Sequence, residues 1–285
     1  MSPELRPTGL RLHLENGDIK EGHCGRTATG LYCRNLIMAL KHSSVFVIIS
    51  LLSLTVLQAA TPNTVIWKLD DVRAGEKVRL PQGFKRVIDW AEKNKTFVNF
   101  GVICDSLVNP NAEDVAWIKK NAVENGGRAE FWLHGWDHKK SGDKASEFLG
   151  SDLATQTRHF KDACDIFNKT TGLTFHAFGA PYNQFDENTL LAMDTRPELK
   201  IFMFGPKADT KRKVIARTIN MEVATGKVSF DAFTKAYADK KPSGLLLLQG
   251  HCGQWDDNSF NDFVKVADFL SKEGWVTKTV SKAVE

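Results

Sequence analysis

The sequence predicts an α/β protein whose parallel strands close into a (β/α) barrel of seven or eight strands. Short apolar runs alternate with amphipathic stretches from residue 61 to the end of the 285-residue chain. Strands that followed one another directly would suggest hairpins, whereas strand, helix, strand repeated along the chain points to parallel pairing through crossover helices. Seven or eight such units in about 225 residues favour a barrel, with an open doubly wound sheet as the alternative. Either architecture places chemistry at the carboxyl ends of strands.

Composition narrows the class. With 42% hydrophobic and 25% charged residues the chain is neither disordered nor collagenous. Its 38 basic and 34 acidic residues are spread without a basic arm, which argues against a nucleic-acid partner. Cys24, Cys33, Cys104, Cys164 and Cys252 form no CxxC pair, which argues against a zinc finger and a disulfide-stapled scaffold.

The first element is a targeting segment. Residues 45–57 (VFVIISLLSLTVL) form an uncharged apolar run after Lys41 and before Gln58, Ala59 and Ala60, the order of a secretory signal peptide. The run is shorter than the roughly 20 residues a membrane-spanning helix needs, so no stable membrane span is expected. The expected organisation is an upstream extension at 1–37, translation starting at Met38, a signal peptide at 38–60 and a catalytic domain at 61–285, secreted or delivered to the periplasm or cell envelope.

Strands are expected at 64–69, 96–102, 128–133, 173–178, 200–204, 214–217, 244–249 and 275–280. Helices are expected at 84–93 with Val87, Ile88 and Ala91 on one face, at 113–124 with Val115, Ile118 and Ala122, and at 260–270 with Phe263, Val264 and Ala267.

The polar residues of interest follow the apolar runs. Asp70 and Asp71 close the first strand. Adjacent carboxylates on a strand point to different sides and repel, which suits one binding a cation while the other handles protons; a solvated strand end or helix cap is the bland alternative. After the third strand, His134 and His138 are spaced so that both imidazoles can face one way on a turn, and Asp71 would complete a His2Asp set with open positions, the composition of a catalytic metal site. His251 ends the late run LLLLQGH and can serve as a general acid, or simply bond to backbone. Pro181 and Tyr182 sit in a loop after another strand, with an aromatic wall. His159 and His176 lack such context and read as structural or surface residues.

In this order the elements resemble the polysaccharide deacetylases, the NodB-homology domain of carbohydrate esterase family four. Asp70 and Asp71 match the paired aspartates, His134 and His138 the HxxxH element, Pro181 and Tyr182 the end of the RxPY element, and Leu248 to His251 the LxxH element, over about 180 residues. The resemblance implies a distorted (β/α) barrel of the glycoside hydrolase/deacetylase type, and that Asp71, His134 and His138 bind a divalent metal, usually Zn2+. It also implies that Asp70 is the general base, that the Tyr182 backbone N–H helps hold the oxyanion, and that His251 protonates the departing sugar amine.

The implied activity is a hydrolase of carbon–nitrogen bonds other than peptide bonds, removing N-acetyl or O-acetyl groups from a sugar polymer or oligomer, with Trp136 and Trp255 as candidates to stack on sugar faces or as core residues. Three departures mark a divergent member: Val72 follows the aspartate pair, Gly135 follows the first histidine, and Gly179 stands where the family arginine orients the base. Arg73 and Arg217 are the candidates to supply a guanidinium from elsewhere. The alternatives are a glycoside hydrolase using Asp70 with Asp137, Asp256 or Asp257, an inactive carbohydrate-binding protein, and a thiol hydrolase built on Cys252.

Overall fold

The computed structural model describes residues 62–140, 145–209 and 211–285. The expected signal peptide, its upstream extension and the Met38 start lie outside the described residues, as do Cys24 and Cys33. No helix among the described residues is long and apolar enough to cross a membrane.

Seven parallel strands form the nearly closed barrel. They are β1 (Thr64–Val72), β2 (Val98–Val102), β3 (Ala129–Leu133), β4 (Ala177–Phe178), β5 (Ile201–Met203), β6 (Lys213–Ile215) and, after the antiparallel hairpin β7 (Glu222–Ala224) and β8 (Lys227–Val228), β9 (Leu245–Gly250). Spatial order runs β9-β1-β2-β3-β4-β5-β6, every neighbouring pair parallel, and β10 (Val276–Thr277) adds two residues beside the start of β1. Among the described residues β6 and β9 do not pair, so the barrel is open along that seam.

The outer layer is made of helices α1 (Gln82–Lys93), α2 (Ala112–Asn121), α3 (Leu153–Thr171), α4 (Glu187–Met193), α5 (Phe230–Lys240), α6 (Asp257–Lys272) and α7 (Val280–Val284). Capping fixes several starts: Asn111, Asp152, Asp186, Ser229 and Asp256 each accept backbone N–H groups of the first turn, satisfying donors with no partner inside the helix. In α6 the buried face is Phe263, Val266 and Leu270, while Val264 and Ala267, expected beside Phe263, are only partly buried.

The strand period of two divides the interior. On β1, Val65, Trp67 and Leu69 face outward into the layer shared with Phe84, Val87 and Phe263. Ile66 faces the lumen, where Trp132, Ala177, Ile201, Met203 and Leu247 pack and Val280 of α7 joins from below. The next lumen-facing positions on β1, Lys68 and Asp70, are polar and fully buried. That change from apolar to charged marks where packing ends and the site begins.

Candidate functional site

The residues of interest converge at the carboxyl ends of the strands around a cavity of about 540 Å³, lined among others by Asp70, Asp71, His134, His138, Tyr182, Asn183, Gln184, Arg217, Glu222, Gln249 and His251. Its first wall is a distortion of β1. The β1–β2 register shifts between Leu69 and Val72, and Asp71 takes φ 76°, a left-handed conformation rare outside glycine. A regular strand would point Asp70 and Asp71 to opposite faces. The bulge re-aims the second carboxylate, so both reach the cavity.

His134 follows β3 and is 1% exposed. Its Nδ1 lies 2.7 Å from the Gly179 carbonyl oxygen; in the tautomer that donates this bond, the Nε2 lone pair faces the cavity. His138, at φ 56°, turns its Nε2 to the same point. Asp71 Oδ1 stands 3.4 Å from each Nε2 and, among the described residues, is a buried oxygen without a hydrogen-bond partner. Asp71, His134 and His138 thus offer three ligand atoms close enough to share one ion. A buried carboxylate oxygen without a donor, flanked by two imidazole nitrogens, is the donor set that a divalent cation completes. Burial alone would raise the Asp71 pKa, but the His134 and His138 rings outweigh it and hold the carboxyl below the usual range. Burial, reinforced by His134, pulls His138 down to about 4, against the opposing pull of Asp71, so its ring is neutral and ligand-ready near neutral pH.

The histidine turn rests on a residue the motif does not contain. Glu147 accepts N–H bonds from Trp136 at 2.5 Å, Asp137 at 3.2 Å and His138 at 2.8 Å, and lies 3.1 Å from His159 Nδ1. Gly135 permits this: a Cβ there would stand 2.6 Å from Glu147 Oε2. The absent hydroxyl side chain at 135 is the space in which a carboxylate holds the turn. The same carboxylate belongs to a second group with ligand-like spacing, Asp137, Glu147 and His159, but both its oxygens are already occupied.

Asp70 is 1% exposed and tightly held. Lys68 Nζ donates to both its oxygens at 2.8 and 2.7 Å, and Gln249 Nε2 donates to Oδ2 at 2.6 Å. Burial would raise the Asp70 pKa, but Lys68, followed by His134 and His251, holds it down, so the carboxylate is ionised. Arg217 donates to Gln249 Oε1 and stacks over Phe204, reaching Asp70 only through that amide. Arg73 is engaged with Asp105 at 2.6 Å. The guanidinium expected from one of these two arginines is therefore replaced, at Asp70 itself, by the Lys68 ammonium.

His251 ends β9 on the other side, its Nε2 4.0 Å from Asp70 Oδ2. Glu222, from β7, receives the His251 backbone N–H at 2.8 Å, lies 2.7 Å from Nδ1 and accepts the Trp255 indole N–H at 2.7 Å. Burial would lower the His251 pKa, but the Glu222 hydrogen bond and the charges of Asp70 and Glu222 overcome it and the pKa rises. Glu222 was not visible as a site residue in the sequence, because it sits on a short hairpin without an apolar run.

The remaining expectations are placed less directly. Tyr182, at φ 58°, lines the cavity with its ring 4.4 Å from that of His138 and its hydroxyl donating to the His138 carbonyl at 2.9 Å. Pro181 is buried beneath it and packs close to Gly135. Neither Trp136 nor Trp255 lines the cavity: Trp136 packs near His159, and Trp255 lies against Phe263 and braces Glu222. The carboxylates named for a glycosidase are occupied elsewhere: Asp137 with Lys139, Asp256 with Lys227 and the α6 cap, Asp257 with Arg86. Burial pushes the Cys252 thiol well above its ordinary pKa, which removes it as a nucleophile.

No family model and no curated protein matches the chain. Solved structures do. The Xyl-CE4 domain of a multidomain xylanase from the hindgut metagenome of Trinervitermes trinervoides superposes with TM-score 0.56 at 13% identity, over 78% of this chain and 90% of that one. A family 4 acetyl xylan esterase from Clostridium thermocellum, in complex with a cobalt ion, gives 0.53 at 15%, over 77% and 89%. A CE4 family pseudoenzyme from Bacillus anthracis gives 0.56 at 11%, over 79% of this chain and 66% of the pseudoenzyme. At such identities the likeness is one of architecture, and it agrees with the resemblance read from the motifs: the chain is built on the (β/α) barrel of the carbohydrate esterase family four structures.

Proposed function

We propose that the chain is a secreted or cell-envelope hydrolase that removes acetyl groups from an N-acetylated carbohydrate, using a divalent metal, most simply Zn2+, held by Asp71, His134 and His138. The observation that carries this reading is the convergence of that three-ligand set with Asp70 and His251 in one cavity. A cation held there supplies Lewis acidity toward a carbonyl and a lowered water pKa.

The chain's own residues supply the rest. Ionised Asp70 accepts the proton of the attacking water as its oxygen adds to the acetyl carbon. His251, whose pKa Glu222 raises against the effect of burial, gives its proton to the amide nitrogen as the C–N bond breaks, so that acetate and a free amine leave. One carboxylate with a lowered pKa and one imidazole with a raised pKa provide base and acid at the same pH. A polyhydroxylated substrate suits the walls: Asn183 Oδ1 and Gln184 Oε1 are buried acceptors without partners among the described residues, and a sugar hydroxyl is a donor that satisfies them.

A second reading, a carbohydrate-binding protein without turnover, is favoured by one observation: both oxygens of Asp70 are already engaged by Lys68 and Gln249. The deciding experiment pairs metal content of residues 61–285, measured by plasma mass spectrometry beside His134→Ala/His138→Ala, with acetate release from a panel of N-acetylated oligosaccharides. Near-stoichiometric metal, lost in the double variant, together with acetate release supports the hydrolase. Metal with sugar binding but no acetate on any substrate supports the binding protein.

A further inference from the structure

Lys68 is the one charged residue inside the apolar run of β1, and the hydrolase reading above assigns it no role. It is 0% exposed and shares the lumen face of β1 with Ile66 and Asp70 by the period of two. Its ammonium meets both Asp70 oxygens and lies over the Trp132 ring at 4.5 Å, with Phe204 at 5.4 Å. Burying an ammonium in an apolar lumen is costly unless it is paired, and Asp70 is its partner.

Room for that side chain comes from β4. Gly179 directly follows the strand, and a Cβ built there would lie 2.9 Å from Lys68 Cε and 2.9 Å from Trp132 Cζ3. Its carbonyl meanwhile receives His134. Gly179 therefore serves both halves of the site: its backbone orients a candidate metal ligand, and its missing side chain leaves the volume through which the lysine reaches Asp70.

We propose that Lys68 is the residue that positions Asp70 and that Gly179 is the position that admits it, so that a lysine at 68 and a long side chain at 179 compete for one space. Lys68 does not line the cavity, so it acts through Asp70 and does not touch substrate. Two hydrogen bonds from one ammonium fix the plane of the carboxylate, and Gln249 fixes Oδ2 from β9. Both oxygens of Asp70 are thereby held in place beside the point where the Asp71, His134 and His138 ligand atoms meet, with His134 Nε2 3.5 Å from Oδ2.

The proposal rests on the hydrolase reading, and its test separates the two. With acetate release as the assay, Lys68→Met is expected to keep its metal and lose about 100-fold in kcat through misplacement of the base, with KM little changed. Lys68→Ala/Gly179→Arg, which moves the cation to the other strand while Trp132 shifts to accommodate it, is expected to regain about tenfold over Lys68→Ala. Gly179→Arg alone is expected to lower Tm, because Lys68 still fills the space. A Lys68→Met enzyme with unchanged kcat, a loss confined to KM, or a double variant no better than Lys68→Ala overturns the proposal.

A thermal-unfolding cycle gives a readout without turnover. Lys68→Met and Asp70→Asn are each expected to lower Tm, and the double variant to recover much of the loss, because it leaves no buried charge unpaired. If the parent releases no acetate, the hydrolase reading fails by itself, and this cycle still decides the pairing. Additive losses in Tm, or a double variant that remains unfolded where Lys68→Met is unfolded, overturn it.

Discussion

The two sides of the cavity are built differently. The base side is made of barrel strands: Asp70 on β1 is 1% exposed and tied to Lys68 on its own strand and to Gln249 on the next. The acid side is made of an appendage: His251 ends β9, but its partner Glu222 comes from a hairpin outside the barrel, and the His251 side chain is 18% exposed. A buried carboxylate braced by hydrogen bonds from two strands has little freedom to be replaced. A half-buried imidazole near solvent has water as a substitute proton source. The contrast predicts unequal tolerance to mutation.

The largest effect belongs to the base. Asp70→Asn removes the proposed proton acceptor and leaves the Lys68 ammonium unpaired, and acetate release is expected to fall by about a thousandfold or more, with metal retained. His251→Ala is expected to cost less, about a hundredfold, because water can reach the leaving nitrogen. Steady-state kinetics on both variants, with metal content as control, checks the order. A larger loss at His251 would break the comparison.

The same contrast explains what could be read from the sequence. The barrel was legible where its strands are longer and buried, at β1, β2, β3 and β9, while β4, β5 and β6 keep only two or three residues each; the helices were legible because their faces repeat every three to four residues. Asp70, Asp71, His134 and His251 were legible because each sits at or just beyond a strand end. The extra support was not. The bulge that turns Asp71 into the cavity is a backbone event with no residue signature beyond Val72 following the pair. Lys68 did carry a signal, a lysine two positions before an aspartate in a strand otherwise apolar, and the period of two places both on one face. Glu222 lies 29 residues from His251, and Glu147, though only 9 residues after His138, follows no apolar run, so no strand end marks either. The stretch 275–280, expected as a strand, gives only the two residues of β10 before α7 starts at Val280, and α3, α4 and α5 are not among the expected helices, although Asp152, Asp186 and Ser229 start them with clear caps.

Glu222 tests how far the appendage controls the acid. Its carboxylate raises the His251 pKa against the lowering effect of burial, so the protonated form persists to higher pH than in an isolated imidazole. Activity that needs protonated His251 is lost as pH rises through that pKa. In Glu222→Gln the Glu222 charge is gone while burial and the Asp70 charge remain, so the alkaline limb of kcat/KM is expected to move to lower pH, with the acid limb, set on the base side, unchanged. A pH profile whose two limbs move together would mean that the two sides are not separable.

The smallest effect is expected at Trp255, and it sharpens the comparison most finely. Its indole N–H donates to Glu222 Oε1 at 2.7 Å and its ring rests on Phe263, with no surface on the cavity. Trp255→Phe keeps the packing and deletes one hydrogen bond to a charged acceptor, a change of about 1.5–3 kcal/mol in local stabilisation at most. If Trp255 acts only by bracing the hairpin, KM for oligosaccharides stays constant and the alkaline limb shifts in the direction seen for Glu222→Gln, by less. If the ring stacks on sugar, as the sequence allowed, KM rises and the limb stays in place. The two outcomes move different observables, so one kinetic series on this variant decides whether the acid side is tuned by its hairpin or merely shares a wall with the substrate.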